Sequence, residues 1–436
     1  MISRREFSAG ALALAAVRND PQPLPMKFVA ETGLRVLVVE DKAAPLTGVA
    51  AYVRAGAPED MGANGIGNLT AHGLLGSNRN LSTAGVQQEV LKAGGSIESA
   101  WAPDYTSITA VTTRPGLQDV LYVISQGLKL ATFEKDTLER ARARALAEVR
   151  REQTDPFRIA YAAARGRVYL DSPYRIAFGG NEERLQKLTT DDVLAYYNRW
   201  FVPQRTVLVV VGNITLADVK HAVSTLFGDY DRKLPAPPLI NPPERLTESV
   251  RLVRRKAGAT SLALAFATLG VPMNSPDFPA LQTLAALIGG GKSARLFRTV
   301  RDTAGVGYVV GAVAPPLALD GHLMAFAEFD AAQPGPDGKP RDAETVERLV
   351  LQTVRSISSA PPAPHELERA KRYAAGAHML AHQRAKDRAQ FLAWFELLGP
   401  GADFDRELPD RIAKVTLEEI LRLAERLEHL VSVRVI

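Results

Sequence analysis

The sequence predicts an α+β protein built from two similar halves, each a mostly antiparallel sheet sandwiched with helices, facing each other across a chamber. Three observations carry this. Strand pairs alternate with long helices throughout the chain. The order of elements before residue 233 is repeated after residue 247. The span between, KLPAPPLINPPERLT at 233–247, holds five prolines and reads as an extended linker. The predicted layout is a leader at 1–25, a first domain at 26–232, the linker at 233–247 and a second domain at 248–436.

In the first half, β-branched content predicts strands over Leu34–Glu40 and Val49–Ala55. Helices are predicted from about Gly67 to Leu75 and over Thr83–Ala93, the latter stopped by Gly94-Gly95. A strand pair follows at Ser96–Trp101 and Tyr105–Thr113. Helices come next near Leu117–Leu130, Lys135–Gln153 and Asp191–Trp200, then a strand at Thr206–Val211. The second half repeats the plan. Its strands are Val250–Arg254 and Ser261–Thr268, its helices Asp277–Ile288 and Ala294–Thr303. A strand pair follows at Val306–Val313 and His322–Phe329, then helices at Ala343–Ser358, Ala363–Ala381 and Leu417–Leu427, and a closing strand at Val431–Ile436.

Composition excludes several classes. The 436 residues are 46% hydrophobic and 23% charged, enough apolar material for a core in each half and unlike a disordered or coiled-coil chain. There is no cysteine, so disulfides, thiolate metal ligands and a cysteine nucleophile are ruled out. A metal would have to be held by Asp, Glu and the seven His. Lys plus Arg exceeds Asp plus Glu by 53 − 48 = 5, which is no argument for a nucleic-acid partner.

The chain opens Ser3-Arg4-Arg5-Glu6-Phe7, followed by an apolar run from Ser8 to Val17. A twin arginine before a short apolar stretch resembles a bacterial Tat export signal, with Ala13-Leu14-Ala15 as a cleavage pattern. The expectation is an exported, periplasmic protein. No later stretch reaches about 18 uninterrupted apolar residues, so no integral membrane span is expected.

The window Gly65–Asn80, GIGNLTAHGLLGSNRN, is followed by a helix, Gly94-Gly95 and a strand pair. This resembles the pitrilysin/insulinase family of zinc peptidases, M16 (of the M16B type). There the first helix carries H-x-x-E-H. Two His at i and i+4 share a helix face and bind one Zn²⁺, and the Glu acts as general base on a zinc-bound water. A later Glu is the third ligand. Aligned on the glycines, this chain has Asn68 at the first ligand, Ala71 at the base and His72 at the second ligand. Glu148, 148 − 72 = 76 residues beyond His72, falls at the third. Two ligands of three are kept and the base is lost. A positioned base is worth on the order of 10²–10⁴ in rate. The resemblance therefore implies a degenerate, non-catalytic member with no zinc of its own.

The second half carries Gly289-Gly290-Gly291-Lys292-Ser293-Ala294-Arg295-Leu296-Phe297 and Gly305-Val306-Gly307-Tyr308. These are similar to the family's Gly-rich turn, S-x-R-L-F and G-L-A-Y. The resemblance implies that Arg295 and Tyr308, 308 − 295 = 13 apart, contact the substrate backbone and the oxyanion across a cleft. Ser172-Pro173-Tyr174, Gly179-Gly180, Thr189-Thr190-Asp191-Asp192 and Val207–Gly212 also match, extending the likeness over residues 30–436. In heterodimeric relatives one subunit has H-x-x-E-H and the other keeps the Arg/Tyr pair. The expectation is thus a substrate-binding subunit whose partner is an M16 chain with the intact motif and the zinc. A scaffold protein and an active peptidase with an altered site are the alternatives. One other pair, His378 and His382, has metal-ligand spacing. It lacks an intervening Glu, lies where the family has no site, and reads as a solvated helix face.

Overall fold

The computed structural model describes residues 23–436 except 61, 171, 176–178, 257–260, 307–308, 331–337 and 339–341. The leader motif and Tyr308 lie outside the described residues.

The first half runs β1 (Met26–Val29), β2 (Arg35–Glu40), β3 (Thr47–Val53), α1 (Ile66–Gly73), α2 (Thr83–Lys92), β4 (Ser96–Ala102), β5 (Tyr105–Thr112), α3 (Leu117–Leu130), α4 (Lys135–Glu152), α5 (Pro156–Val168), α6 (Glu182–Lys187), α7 (Thr190–Trp200), β6 (Thr206–Gly212) and α8 (Leu216–Phe227). Neither helix nor strand forms between α8 and β7 (Val250–Arg254). The second half continues with β8 (Leu262–Leu269), α9 (Phe278–Gly289), β9 (Val309–Val313), β10 (His322–Phe329), α10 (Ala343–Ser359), α11 (Pro364–Leu380), α12 (Ala385–Leu398), α13 (Asp403–Ala413), α14 (Leu417–Ala424) and β11 (Val431–Val435).

The duplication is explicit in the topology. The first sheet has the order β1-β2-β6-β3-β5-β4 and the second β7-β11-β8-β10-β9. Without β1, the two orders are the same, and each has one parallel pair at the same place: β2 with β6, β7 with β11. All other pairs are antiparallel.

Alternation along the strands gives each sheet two faces. Val36, Val38, Val49, Ala51, Leu208 and Val210 form one core with α1, α3, α7 and α8 of their own half. The opposite face, with Leu37, Val39, Ala50, Tyr52, Val207 and Val209, belongs to a cluster with Leu392, Ala393 and Phe395 of α12, from the second half. The second sheet mirrors this. Its Ala263, Ala265, Ala267, Met324 and Val433 pack against Ala160, Ala164 and Val168 of α5, from the first half. Each half therefore lends one helix to the other's sheet. On the edge strands the same faces stay open at Glu98 and Ala100 of β4 and at Val309 and Val313 of β9.

Small residues permit the exchange. A Cβ at Gly48 would overlap the backbone of Ala385 and Lys386 where α12 begins. Charged pairs add register: Arg388 reaches Asp41 at 2.6 Å, Lys27 reaches Glu396 at 3.2 Å, and Lys386 pairs with Glu98. On the α5 side, Tyr161 and Tyr169 place their hydroxyls 2.9 and 3.0 Å from the two ring nitrogens of His322 on β10. Tyr174, from the Ser-Pro-Tyr motif, is buried at the same seam, bonded to Asp104 and accepting from the Leu319 amide at 3.0 Å.

Candidate functional site: a degenerate metal centre

The site begins with how α1 starts. Its N-cap is Gly65 at φ 103°, a conformation that favours glycine, and no side chain caps it locally. Asp60 does so from the preceding loop, accepting from the amides of Gly65 and Gly67 at 3.2 Å each. This satisfies two of the free donors at a helix N-terminus. Asp60 is 2% exposed, and that burial pushes its carboxyl up to about 8 against the pull of the amides. Gly67 has to be glycine, since a Cβ there would overlap Trp101 Nε1 and Asp60 Oδ1.

From this start, α1 packs along α4 and brings three of the sequence-predicted residues together. Asn68 Nδ2 donates to Glu148 Oε2 at 3.1 Å and to the Gly179 carbonyl at 3.3 Å. His72 Nε2 lies 3.2 Å from the same Glu148 Oε2. The approach is off-line, however, so the buried ring nitrogen makes no proper hydrogen bond. Burial acts to raise the Glu148 carboxyl, but His72, Asn68 and Arg151 outweigh it and hold it below the ordinary carboxylate range. Ala71, one residue before His72, is fully buried. It offers no proton acceptor.

These residues do not fit the zinc ion that the motif implies. The Asn68 side chain has two acceptors in front of it, a carboxylate and a main-chain carbonyl. Turning its carbonyl oxygen inward would set it against both, so the amide nitrogen faces Glu148 and a donor stands where a ligand is needed. His72 and Glu148 alone are two ligands, against the three that catalytic zinc sites take from the protein. The Asn68 amide supplies part of the neutralisation that a cation would otherwise give Glu148. The Gly179 carbonyl, which completes this arrangement, was not singled out in the sequence; the Gly179-Gly180 pair was its one signal.

Arg295 is held within its own half. Its Nε and Nη2 form a two-pronged pair with Glu366 at 2.8 and 3.0 Å, and Nη1 donates to Ser356 Oγ at 2.9 Å. The Arg295 guanidinium is the main reason the Glu366 carboxyl sits below its usual range. The pair ties the turn after α9 to α10 and α11. The preceding glycines behave as their spacing suggests: Gly291 has φ 76°, and a Cβ at Gly289 would overlap the backbone of Gly311 and Ala312 in β9. The helix expected over Ala294–Thr303 forms at residues 295–303 and is π-helical from Phe297 to Thr303. Neither Glu366 nor Ser356 had a sequence signal beyond Glu366's place in the first turn of α11.

His378 and His382 do not lie on a solvated helix face. His382 is 8% exposed and stacks on Phe391 with ring centroids 4.2 Å apart, and both rings contact Asp405. The neighbouring α12 and α13, which the sequence reading did not identify, cover that side.

Comparison with known proteins agrees with this anatomy. The family described as "Insulinase (Peptidase family M16)" matches residues 35–168, and "Peptidase M16 inactive domain" matches residues 187–373. A Bacillus subtilis protein named "Uncharacterized zinc protease YmxG" is 23% identical, over 92% of this chain and 95% of its own. A Helicobacter pylori protein named "Non-peptidase homolog YmxG" is 20% identical, over 85% and 83%. Among solved structures, a peptidase M16 inactive domain from Pseudomonas fluorescens superposes with a TM-score of 0.84 at 19% identity, covering 94% of this chain and 97% of that one. A Helicobacter pylori protease gives 0.84 at 18% identity, covering 95% and 99%. Two family profiles that together span most of the chain, on a duplicated sheet with the degenerate motif on its first helix, establish that the protein belongs to the insulinase-like peptidase family M16.

Proposed function

We propose that this chain is a peptide-binding subunit that does not itself hydrolyse peptides. It would pair with an M16 chain whose H-x-x-E-H is intact and which carries the Zn²⁺. The observation that carries this reading is the Asn68 amide donating to Glu148, with Ala71 in place of a base. Without a third ligand or a proton acceptor, water activation has to come from elsewhere. Peptide would lie extended along an open strand edge, held by main-chain hydrogen bonds. Arg295 and Tyr308 are proposed to face the partner's zinc site, and residues 1–25 to direct export to the periplasm. Among the described residues, no helix is long and apolar enough to cross a membrane.

Reconstitution tests this. The purified chain alone is expected to leave peptides intact, and mixing with an intact-motif M16 partner is expected to give chelator-sensitive cleavage. Chelator-sensitive cleavage by the chain alone would overturn the reading. A second reading, a scaffold without a role in proteolysis, is favoured by one observation: Arg295 already spends three donors on Glu366 and Ser356. Arg295→Ala in the assembled complex separates the two. Loss of proteolysis without loss of assembly supports substrate contact; unchanged proteolysis supports the scaffold.

A further inference from the structure

Outside the degenerate centre, the described residues hold one group of three His, Asp or Glu side chains whose ligand atoms converge: His378, His382 and Asp405, with those atoms within 4.8 Å of one another. His378 sits in the last turn of α11 and His382 just beyond its C-cap, so the two rings are one turn apart. Asp405 comes from the first turn of α13.

The hydrogen bonds sort the ring nitrogens. His382 Nδ1 is 2.6 Å from the His378 carbonyl, so that nitrogen carries its proton and donates it. This is the outer contact that fixes the tautomer of a metal-binding imidazole. Nε2 is then directed at the Asp405 carboxylate, 2.8 and 3.0 Å from its two oxygens. His378 Nε2 lies 3.2 Å from Asp405 Oδ1 and 2.9 Å from the Asp405 main-chain oxygen. That main-chain oxygen accepts from the imidazole instead of a helical N–H, for a reason written in the sequence. Its helical partner four residues on would be Pro409, inside α13, which has no N–H to give. Two imidazole nitrogens, the Asp405 carboxylate and the Asp405 main-chain carbonyl thus converge, and the hydrogens that the two Nε2 atoms direct at Asp405 are the ones a bound metal ion would replace.

We propose that His378, His382 and Asp405 form a binding site for a borderline divalent transition-metal ion such as Zn²⁺. Nitrogen and oxygen ligands about 2.0–2.1 Å from a tetrahedral zinc stand roughly 3.3 Å apart. The 3.2 and 2.8 Å separations from Oδ1 need to change by about half an ångström at most, while the two imidazole nitrogens, within 4.8 Å of each other, would close toward that spacing as the ion binds. Phe391 holds the His382 ring in place, and His378 meets the same ring edge-on at 5.6 Å. The three side chains retain 11%, 8% and 12% exposure, which leaves an edge for ion entry and for a solvent ligand. The ion would brace the turn that leads into α12, the helix lent to the first sheet. This site is separate from His72 and Glu148 and does not depend on the proposed partner.

The alternative occupant is a proton, with His382 charged and paired to Asp405. The test uses the full chain stripped with chelator, titrated with Zn²⁺ by calorimetry and with Co²⁺ by visible absorption. One equivalent is expected to bind, with proton release, four-coordinate Co²⁺ bands and a raised thermal midpoint. His382→Gln and Asp405→Asn should each weaken binding by more than about 100-fold, beyond the loss of an outer contact. His72→Gln should leave it unchanged. Circular dichroism checks folding, and Asp405→Asn, equal in shape, serves where His382→Gln does not fold. Absence of stoichiometric binding, or binding lost with His72→Gln and retained with His382→Gln, overturns the proposal.

Discussion

Asn68 and Glu148 meet at 3.1 Å with the amide nitrogen as donor, where the family's motif would set two ligands around one cation. The same Glu148 oxygen is 3.2 Å from His72. An amide hydrogen bond thus stands where the motif implies a bond to metal, and the neighbouring Gly179 carbonyl sets which way the Asn68 amide turns.

Asn68→His replaces that donor with a ligand. The variant should bind one more equivalent of Zn²⁺ than the parent, measured by elemental analysis before and after chelation. Peptide hydrolysis should stay at background, because Ala71 still provides no base, a deficit of about 10²–10⁴ in rate. Without metal, the lost amide bonds should lower stability by about 1–2 kcal/mol. Hydrolysis by this single variant would show that no base is needed at position 71.

Arg295→Ala leaves Glu366, with its side chain 16% exposed, without its two-pronged partner. A cost of about 1–3 kcal/mol is expected, read as a lower urea midpoint at unchanged slope. Arg295→Lys should recover little of this, since an ammonium cannot reproduce the planar fork. A wild-type midpoint for Arg295→Ala would mean that the pair contributes nothing to the fold.

His322 supplies a pH dependence whose sign can be stated. Burial, with Arg165 as a second cause, pushes its imidazole down from 6.5 to about 3. The unfolded chain therefore binds the extra proton first as pH falls. The contribution to stability is complete above about 6.5 and is lost between there and about 3, on the order of 5 kcal/mol in all. His322 joins β10 to α5 through Tyr161 and Tyr169, so acid should loosen the contact between the halves. Urea midpoints followed from pH 7 to pH 4 should fall more steeply for the parent than for His322→Gln. Parallel profiles would rule out this residue as the source.

Gly48→Ala drives a methyl group into the backbone of Ala385 and Lys386. Overpacking of this kind typically costs about 1–3 kcal/mol. The variant should melt earlier and be cut faster by protease at the start of α12. An unchanged melting profile would show that α12 can shift off β3 without penalty.

The first sheet was legible from the β-branched runs of its strands, and the second from the repeat of the same element order. Leu117–Leu130, Val250–Arg254 and His322–Phe329 match the observed bounds. The convergence of Asn68, His72 and Glu148 was legible from motif spacing alone. Of the elements that stayed hidden (β1, α5, α6, α8, α12 and α13), α5 and α12 did so for a shared physical reason. Each lies between its own half and the other half's sheet, so neither shows a single apolar stripe. In α5 the buried side is partly alanine, Ala160 and Ala164, and α12 is apolar on several sides at once. Asp405 was hidden because its partners sit on a different helix, although Pro409 four residues later marked a carbonyl without its helical donor.

The loan of α5 and α12 has a consequence for how the polypeptide can be divided. Stopping synthesis within 233–247 would yield a first half with the Leu37, Val207 and Val209 face bare, and a separate second half would bare its alanine-lined face. Neither fragment would stay soluble by itself. A protease nick at the same place, made after folding, should leave a protein that elutes whole, because each piece grips the other through a helix it does not own.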